Sequence, residues 1–229
     1  MSIILNIDTA MDIAYISIAK DGEIMAQSSN KEQKDHGGFL QPAIQELFKK
    51  ASVSISELDA VAISAGPGSY TGLRVGMASA KGICYALKKP LISIGTLEIL
   101  ALAAILDTGN RAFNSSILFC PMIDARRMEV FTALYNQSLE PVLEPCAMIL
   151  DENSFANSLL KNKIVFFGNG AKKWQLICKP ENGVFIPIFS NALAMSKLAY
   201  KKYEYNDFAD LAYSEPLYLK EFFGGSAQN

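Results

Sequence analysis

The sequence predicts an α/β protein of two lobes, each a mixed sheet flanked by helices, with a strand-turn-strand unit used twice. Three observations carry this reading. The chain opens with apolar runs of strand length separated by polar turns, an antiparallel meander. From residue 59 short apolar strands alternate with helical periodicity, which requires parallel pairing in at least part of the sheet. The opening then returns: ILNID, ending at Asp8, is echoed by ILFCPMID, ending at Asp124, and Tyr15 and Phe131 stand equally far beyond their aspartates in a second alternating strand.

Ile3 to Ile7 reads as a buried strand, Ala14 to Ala19 as its neighbour, and Lys20-Asp21-Gly22 as the turn into a third strand, Glu23 to Gln27. After the polar loop SSNKEQKDHGG, residues 39–51 form an amphipathic helix with Phe39, Leu40, Ala43, Ile44, Leu47 and Phe48 on or near one face. Asp59 to Ser64 is a strand that runs into GPGSYTGLR, and a helix starts near Ser69 or Thr71 and stops before Pro90. Leu91 to Ile94 is a further strand and Thr96 to Leu106 a buried helix. The composition breaks at DTGNRAFNSS, residues 107–116, which sets the lobes at 1–106 and 107–229, with part of the last helices free to pack back on the first. Beyond Ile117 to Asp124 and Glu129 to Tyr135, the second half is less regular. It holds a short helix from Ser154 to Lys161, a strand Ile164 to Phe167 leading into GNG at 168–170, and a helix Ala171 to Ile177. A strand Val184 to Ile188, a helix Asn191 to Tyr203 and an extended end complete it.

Composition excludes several function classes. Of 229 residues half are apolar, enough for a sizeable core, and the net charge of -2 with scattered lysine pairs gives no general attraction to a phosphate backbone. Binding RNA alone is not expected. Four cysteines without a CxxC pair, and a single histidine, His36, indicate neither a structural zinc nor a disulfide framework, and fit a reducing cytoplasm. The N-terminus lacks a basic region and reaches Asp8, so it reads as a strand and not as a signal peptide; no apolar run is long enough for a membrane span.

The helix after GPGSYTGLR carries Gly72, Gly76, Ala80 and Cys84 at i, i+4 spacing, and a second small stripe, Ser79, Gly82 and Ala86, on another side. Glycine costs about 1 kcal/mol against alanine inside a helix, so close approach by a neighbouring element is the expected compensation. Gly72, Gly76 and Ala80 are expected to face another helix, in this chain or a partner. The competing reading is a phosphate cradle at the helix N-terminus. Its spacing departs from a Walker loop, with Leu73-Arg74 where Lys-Ser/Thr is required. Arg74 serves either an interface or an anion, and both remain open.

Asp8-Thr9 and Asp124-Ala125 sit where duplicated hairpins of two-lobed ATPases of the actin, sugar-kinase and heat-shock-chaperone type hold phosphates. The first turn carries Asp12 and the second Arg126-Arg127 with no glycine, so carboxylates that merely cap turns explain the pattern equally well. Gly168 and Gly170 lie either beside an adenosine or in a plain strand-to-helix turn. His36 has no companion for a metal site or a catalytic triad.

LNIDTA at 5–10, AGPGSYTGLRVGMASAKG at 65–82, IDARRMEVFTALY at 123–135, FFGNGA at 166–171 and PLYLK at 216–220 together resemble the TsaB (YeaZ) family over nearly the whole chain. The resemblance implies an actin-like ATPase (ribonuclease H-like) fold. It implies a non-catalytic dimerisation subunit that pairs with a TsaD-type catalytic homologue, with a TsaE-type ATPase as further partner, in forming threonylcarbamoyladenosine on tRNAs that read ANN codons. tRNA is then met only through the complex, and a homodimer forms when the partner is absent. The catalytic homologue holds metal with a His-x-x-x-His pair, and Thr96 and Leu100 stand at those positions here, so no metal or other cofactor is expected. The implied partner interface comprises Phe39, Leu40, Ala43, Leu47, Gly72, Leu73, Gly76, Ala80, Ile83 and Cys84. Asp8, Thr9, Asp124, Arg126, Gly168 and Gly170 would line a vestigial nucleotide cleft. The alternative is a self-sufficient enzyme of the same superfamily, an ATP-dependent phosphotransferase or a metallopeptidase.

Overall fold

A computed structural model of the chain describes residues 1–31, 36–108, 117–188 and 190–220. Its first sheet joins an antiparallel meander, β1 (Ile3–Asp8), β2 (Ala14–Lys20) and β3 (Glu23–Asn30), to two strands parallel to β1, β4 (Ala60–Gly66) and β5 (Leu91–Gly95), in the order β3-β2-β1-β4-β5. The second sheet repeats it with β6 (Ile117–Asp124), β7 (Glu129–Tyr135), β8 (Pro141–Ile149), β9 (Lys163–Phe167) and β10 (Gly183–Phe185), in the order β8-β7-β6-β9-β10. Helices follow the third, fourth and fifth strand of each sheet: α1 (His36–Ala51), α2 (Tyr70–Leu87) and α3 (Thr96–Thr108), then α4 (Ala156–Leu159), α5 (Ala171–Ile177) and α6 (Ala192–Glu204). The duplication expected from ILNID and ILFCPMID is therefore complete. The echo differs by one residue in register, since Asp8 pairs with Tyr15 whereas Asp124 pairs with Val130.

Two elements depart from the sequence reading. β3 continues through Asn30, into residues assigned to the polar loop, because it pairs with β2 as far as Ala14. β8 is absent from that reading. Its prolines 141 and 145 argue against a central strand, and it occupies the sheet edge, where a missing N–H is tolerated. The boundary segment 109–116 and the tail 221–229 lie outside the described residues.

Alternate residues of β1 and β4 point to opposite faces. Leu5, Ile7, Val61 and Ile63 meet α1 and α2, whereas Ile4, Ala60 and Ala62 meet α3 and α6. α3 is apolar around most of its circumference because two cores share it: Ile99 and Ala103 join the first sheet's core, and Leu97, Leu100 and Ala104 join Phe119, Ala133 and Val165 of the second. Trp174 closes the outer core of the second sheet with Phe155 and Phe166. The C-terminal segment returns to the first sheet, where the Ala209 N–H donates to Leu91 O at 2.8 Å and the Leu217 N–H to Ala65 O at 2.7 Å. No helix among the described residues is long and apolar enough to cross a membrane.

Candidate functional site

The glycine-rich stretch is a joint inside the chain. Ser69 caps α2, its Oγ accepting from the Gly72 N–H at 3.3 Å, and the Ser69 N–H donates to Ala10 O at 2.7 Å. Thr9 Oγ1 donates to the Gly72 carbonyl at 2.7 Å. A Cβ on Gly68 would lie 2.2 Å from Ala10 O, one on Gly72 2.0 Å from Thr9 O, and one on Gly76 2.2 Å from Thr9 Oγ1. The glycines let α2 rest directly on the loop after β1, so the proposed cradle is filled by the chain's own backbone.

This corrects the expectation that Gly72 and Gly76 face another helix, since they meet the loop after β1 instead. Gly76 also stands against Ile63, and Ala80 and Cys84 are buried in the core of the first sheet. Leu40, Leu47 and Leu73 are likewise fully buried within the chain, and Phe39, Ala43 and Ile83 are half-buried. A stripe of small residues admits a loop or a sheet as readily as a helix, and here Thr9 and Ile63 take its two glycines.

The opposite face of α2 is open. Ala78, Gly82 and Ala86 are exposed at i, i+4 spacing, and a Cβ on Gly82 would meet nothing within 4 Å. This face and α1, with the 3-10 turn Ile55–Glu57, enclose a groove of about 490 Å³ lined by Gln41, Ile55, Ala78, Ser79, Ile83 and Leu87 among others. Gln41 Nε2 donates to Ser79 Oγ at 3.1 Å and ties α1 to α2 beside it. The second small stripe, Ser79, Gly82 and Ala86, lines this groove.

Toward the start of α2 the groove meets the C-terminal segment. Arg74 lies over the Tyr70 ring, Cζ 4.1 Å from the centroid, and its Nε donates to Tyr218 OH at 3.1 Å. That hydrogen bond raises the guanidinium pKa further above its ordinary range. Lys81 Nζ donates to the carbonyls of Ala212 and Ser214 at 3.1 and 3.0 Å. A second hollow of about 300 Å³ lies among Arg74, Met77, Lys81, Glu215, Pro216 and Tyr218. Ala78 lines both hollows, which makes them one continuous surface. Nothing in sequence spacing joins Arg74 to Tyr218; only the returning tail does.

The residues assigned to the cleft remnant are engaged by the chain itself. Asp8 is buried, its Oδ2 accepting from Ser190 Oγ at 2.6 Å and its Oδ1 from the Ala10 N–H at 3.1 Å. Asp124 is exposed and accepts at Oδ1 from Lys173 Nζ at 2.6 Å and from the Arg126 N–H at 2.6 Å. Asn169 links the two turns, accepting from the Asp124 N–H at 2.9 Å and donating to Asp12 Oδ2 at 3.4 Å. Gly168, at φ +93°, and Gly170 are pressed on the end of β6, where a Cβ would fall 2.3 Å from Met122 O and 3.0 Å from the Ile123 carbonyl carbon respectively. Arg126 and Arg127 are exposed in left-handed backbone, φ +70° and +47°. Thr96 and Leu100 are buried on α3, and burial pushes up the carboxyl pKa of nearby Glu98, an effect that Lys202 and Lys201 partly offset. Among the described residues no cluster of His, Cys, Asp and Glu side chains could hold a metal ion.

The duplicated sheets, with their facing turns closed by internal hydrogen bonds and an open helical face beside them, define a two-lobed protein of the actin-like ATPase fold. Residues 23–214 match the family model described as TsaD: tRNA N6-adenosine threonylcarbamoyltransferase. Relatives named tRNA threonylcarbamoyladenosine biosynthesis protein TsaB include that of Buchnera aphidicola subsp. Schizaphis graminum, 30% identical over 75% of this chain and 80% of its own length. The Escherichia coli protein of that name is 26% identical over 95% and 94%. The matched stretch spans 61% of this chain and 59% of the Bacillus subtilis relative, at 32% identity. Among solved structures, YeaZ from Pseudomonas aeruginosa superposes with a TM-score of 0.78 over 96% of this chain and 100% of that one, at 21% identity. The chain belongs to the TsaB (YeaZ) family.

Proposed function

We propose that the protein serves tRNA threonylcarbamoyladenosine formation as a non-catalytic subunit, holding a TsaD-type transferase in its competent conformation for tRNAs that read ANN codons. The first lobe, residues 1–106, carries the docking helices, and residues 107–229 complete the fold behind them. The transferase docks on the open face of α1 and α2, a TsaE-type ATPase joins the assembly, and tRNA is met only through the complex. The same face pairs two copies when the transferase is absent. The cytoplasm is the compartment of this reading.

The observation that supports it best is the exposed line Ala78, Gly82 and Ala86 beside the groove of about 490 Å³. Small side chains let helix axes approach to the short end of the ordinary range of about 8 to 10 Å, so this face suits a partner helix. Two buried residues, Thr96 and Leu100, stand where the catalytic homologue is expected to hold its metal, and neither offers the imidazole that role needs. The test is co-purification with the TsaD-type protein of the same organism, comparing wild type with Gly82→Leu. The leucine has open space in the free chain, so the variant folds; loss of the partner is expected. Unchanged assembly overturns the reading.

A further inference from the structure

We propose that Arg74 is a carboxylate anchor for the partner that docks on the open face of α2, and that it favours a partner of different sequence over a second copy of this chain. This rests on the docking reading above and names the chemistry that selects the partner. The guanidinium is ordered before any partner arrives, laid on the Tyr70 ring and held by Tyr218 OH through Nε. Only Nε is so engaged; the two terminal amino groups have no hydrogen-bond partner among the described residues. They form a planar fork that matches a carboxylate in bidentate geometry, and a fixed fork loses little freedom on binding. Arg74 borders the hollow of about 300 Å³ that runs into the main groove through Ala78, so a helix in the groove reaches it.

Charge distribution decides between partners. α2 carries Arg74 and Lys81 and no acidic residue. Neither cation makes a salt bridge among the described residues, although Glu215 borders the same hollow. On α1 the one acidic residue is Glu46, already 4.0 Å from Lys49. Two copies placed α2 against α2 bring cations to cations with Glu215 at the hollow as a partial offset, whereas a partner with an aspartate or glutamate facing the fork completes it.

The test is titration calorimetry with the TsaD-type protein of the same organism at low and raised sodium chloride, using wild type, Arg74→Gln, Arg74→Lys, Tyr218→Phe and Gly82→Leu. Arg74→Gln is expected to weaken binding about tenfold or more and to flatten its salt dependence. Arg74→Lys should restore only part, because a lysine cannot form the fork, and Tyr218→Phe should fall between it and wild type. Arg74→Gln within about twofold of wild type at low salt overturns the anchor, as does a loss seen only when inorganic phosphate is present, which would assign the fork to an anion from solution. If Gly82→Leu abolishes binding while Arg74→Gln does not weaken it, the anchor alone fails; if Gly82→Leu also binds normally, the docking face fails with it. Sedimentation of the isolated chain tests selectivity: self-association unchanged or tighter in Arg74→Gln supports it, and self-association lost overturns it.

Discussion

Two glycines ten residues apart on one helix should respond in opposite directions to the same substitution. In Gly72→Ala the new methyl would lie 2.0 Å from Thr9 O, against the 3.4 Å or more of ordinary contact, and that oxygen belongs to backbone that no rotamer change can move. Relief requires α2 to lift off the β1 loop, an overpacking cost of about 1–3 kcal/mol. Lifting also stretches the Thr9–Gly72 hydrogen bond, worth about 0.5–1.5 kcal/mol. The helix gains about 1 kcal/mol from replacing glycine, so Gly72→Ala should be less stable by roughly 1–3 kcal/mol. Gly82→Ala meets open space and keeps only the gain, about 0.5–1 kcal/mol. Urea unfolding followed by helical circular dichroism and by Trp174 fluorescence measures both as shifts in midpoint at constant slope. A Gly72→Ala protein as stable as wild type, or a Gly82→Ala protein less stable, would refute the assignment of the two faces of α2.

Three further outcomes follow from buried groups. Ser190→Ala removes the donor to Oδ2 of the buried Asp8 and should cost about 1–3 kcal/mol in the same unfolding assay, with Ser190→Thr losing less. Burial raises the Glu98 pKa in the fold above its unfolded value, so the folded chain binds the proton more tightly and stability falls as pH rises through that window. Glu98→Gln should therefore be more stable than wild type at about pH 7, with the gap closing near pH 4; a gap that widens on acidification contradicts the burial. Burial pushes the Cys84 thiol up to about 11, leaving about one thiolate in a thousand at pH 8, so iodoacetamide should spare Cys84 in the native protein and label it only after unfolding.

Much of the architecture was legible in the sequence. Alternating strands and helices, and the return of strand, aspartate and turn at Asp124, are local patterns, and the topology repeats as they require. β8 was not legible, because Pro141 and Pro145 read as breaks unless the strand is known to sit at an edge. The direction of the small residues on α2 was hidden for a different reason. Gly72 and Gly76 announce a close approach, but spacing does not say to what, and the answer, the carbonyl and hydroxyl of Thr9, lies 63 residues away from Gly72. Ser79, Gly82 and Ala86 were visible as a second stripe and gain meaning only once the first is buried. The Arg74 and Tyr218 pairing spans 144 residues and leaves no trace in composition or period.

The most direct measurement is the modification of an ANN-decoding tRNA, supplied with threonylcarbamoyl adenylate and the TsaE-type ATPase, by this chain alone, by the TsaD-type protein alone and by the two together. A supporting subunit gives no product alone, full product with its partner, and lost product when folded Gly82→Leu replaces it. Threonylcarbamoyladenosine formed by this chain alone, or undiminished product with Gly82→Leu, would contradict the assignment.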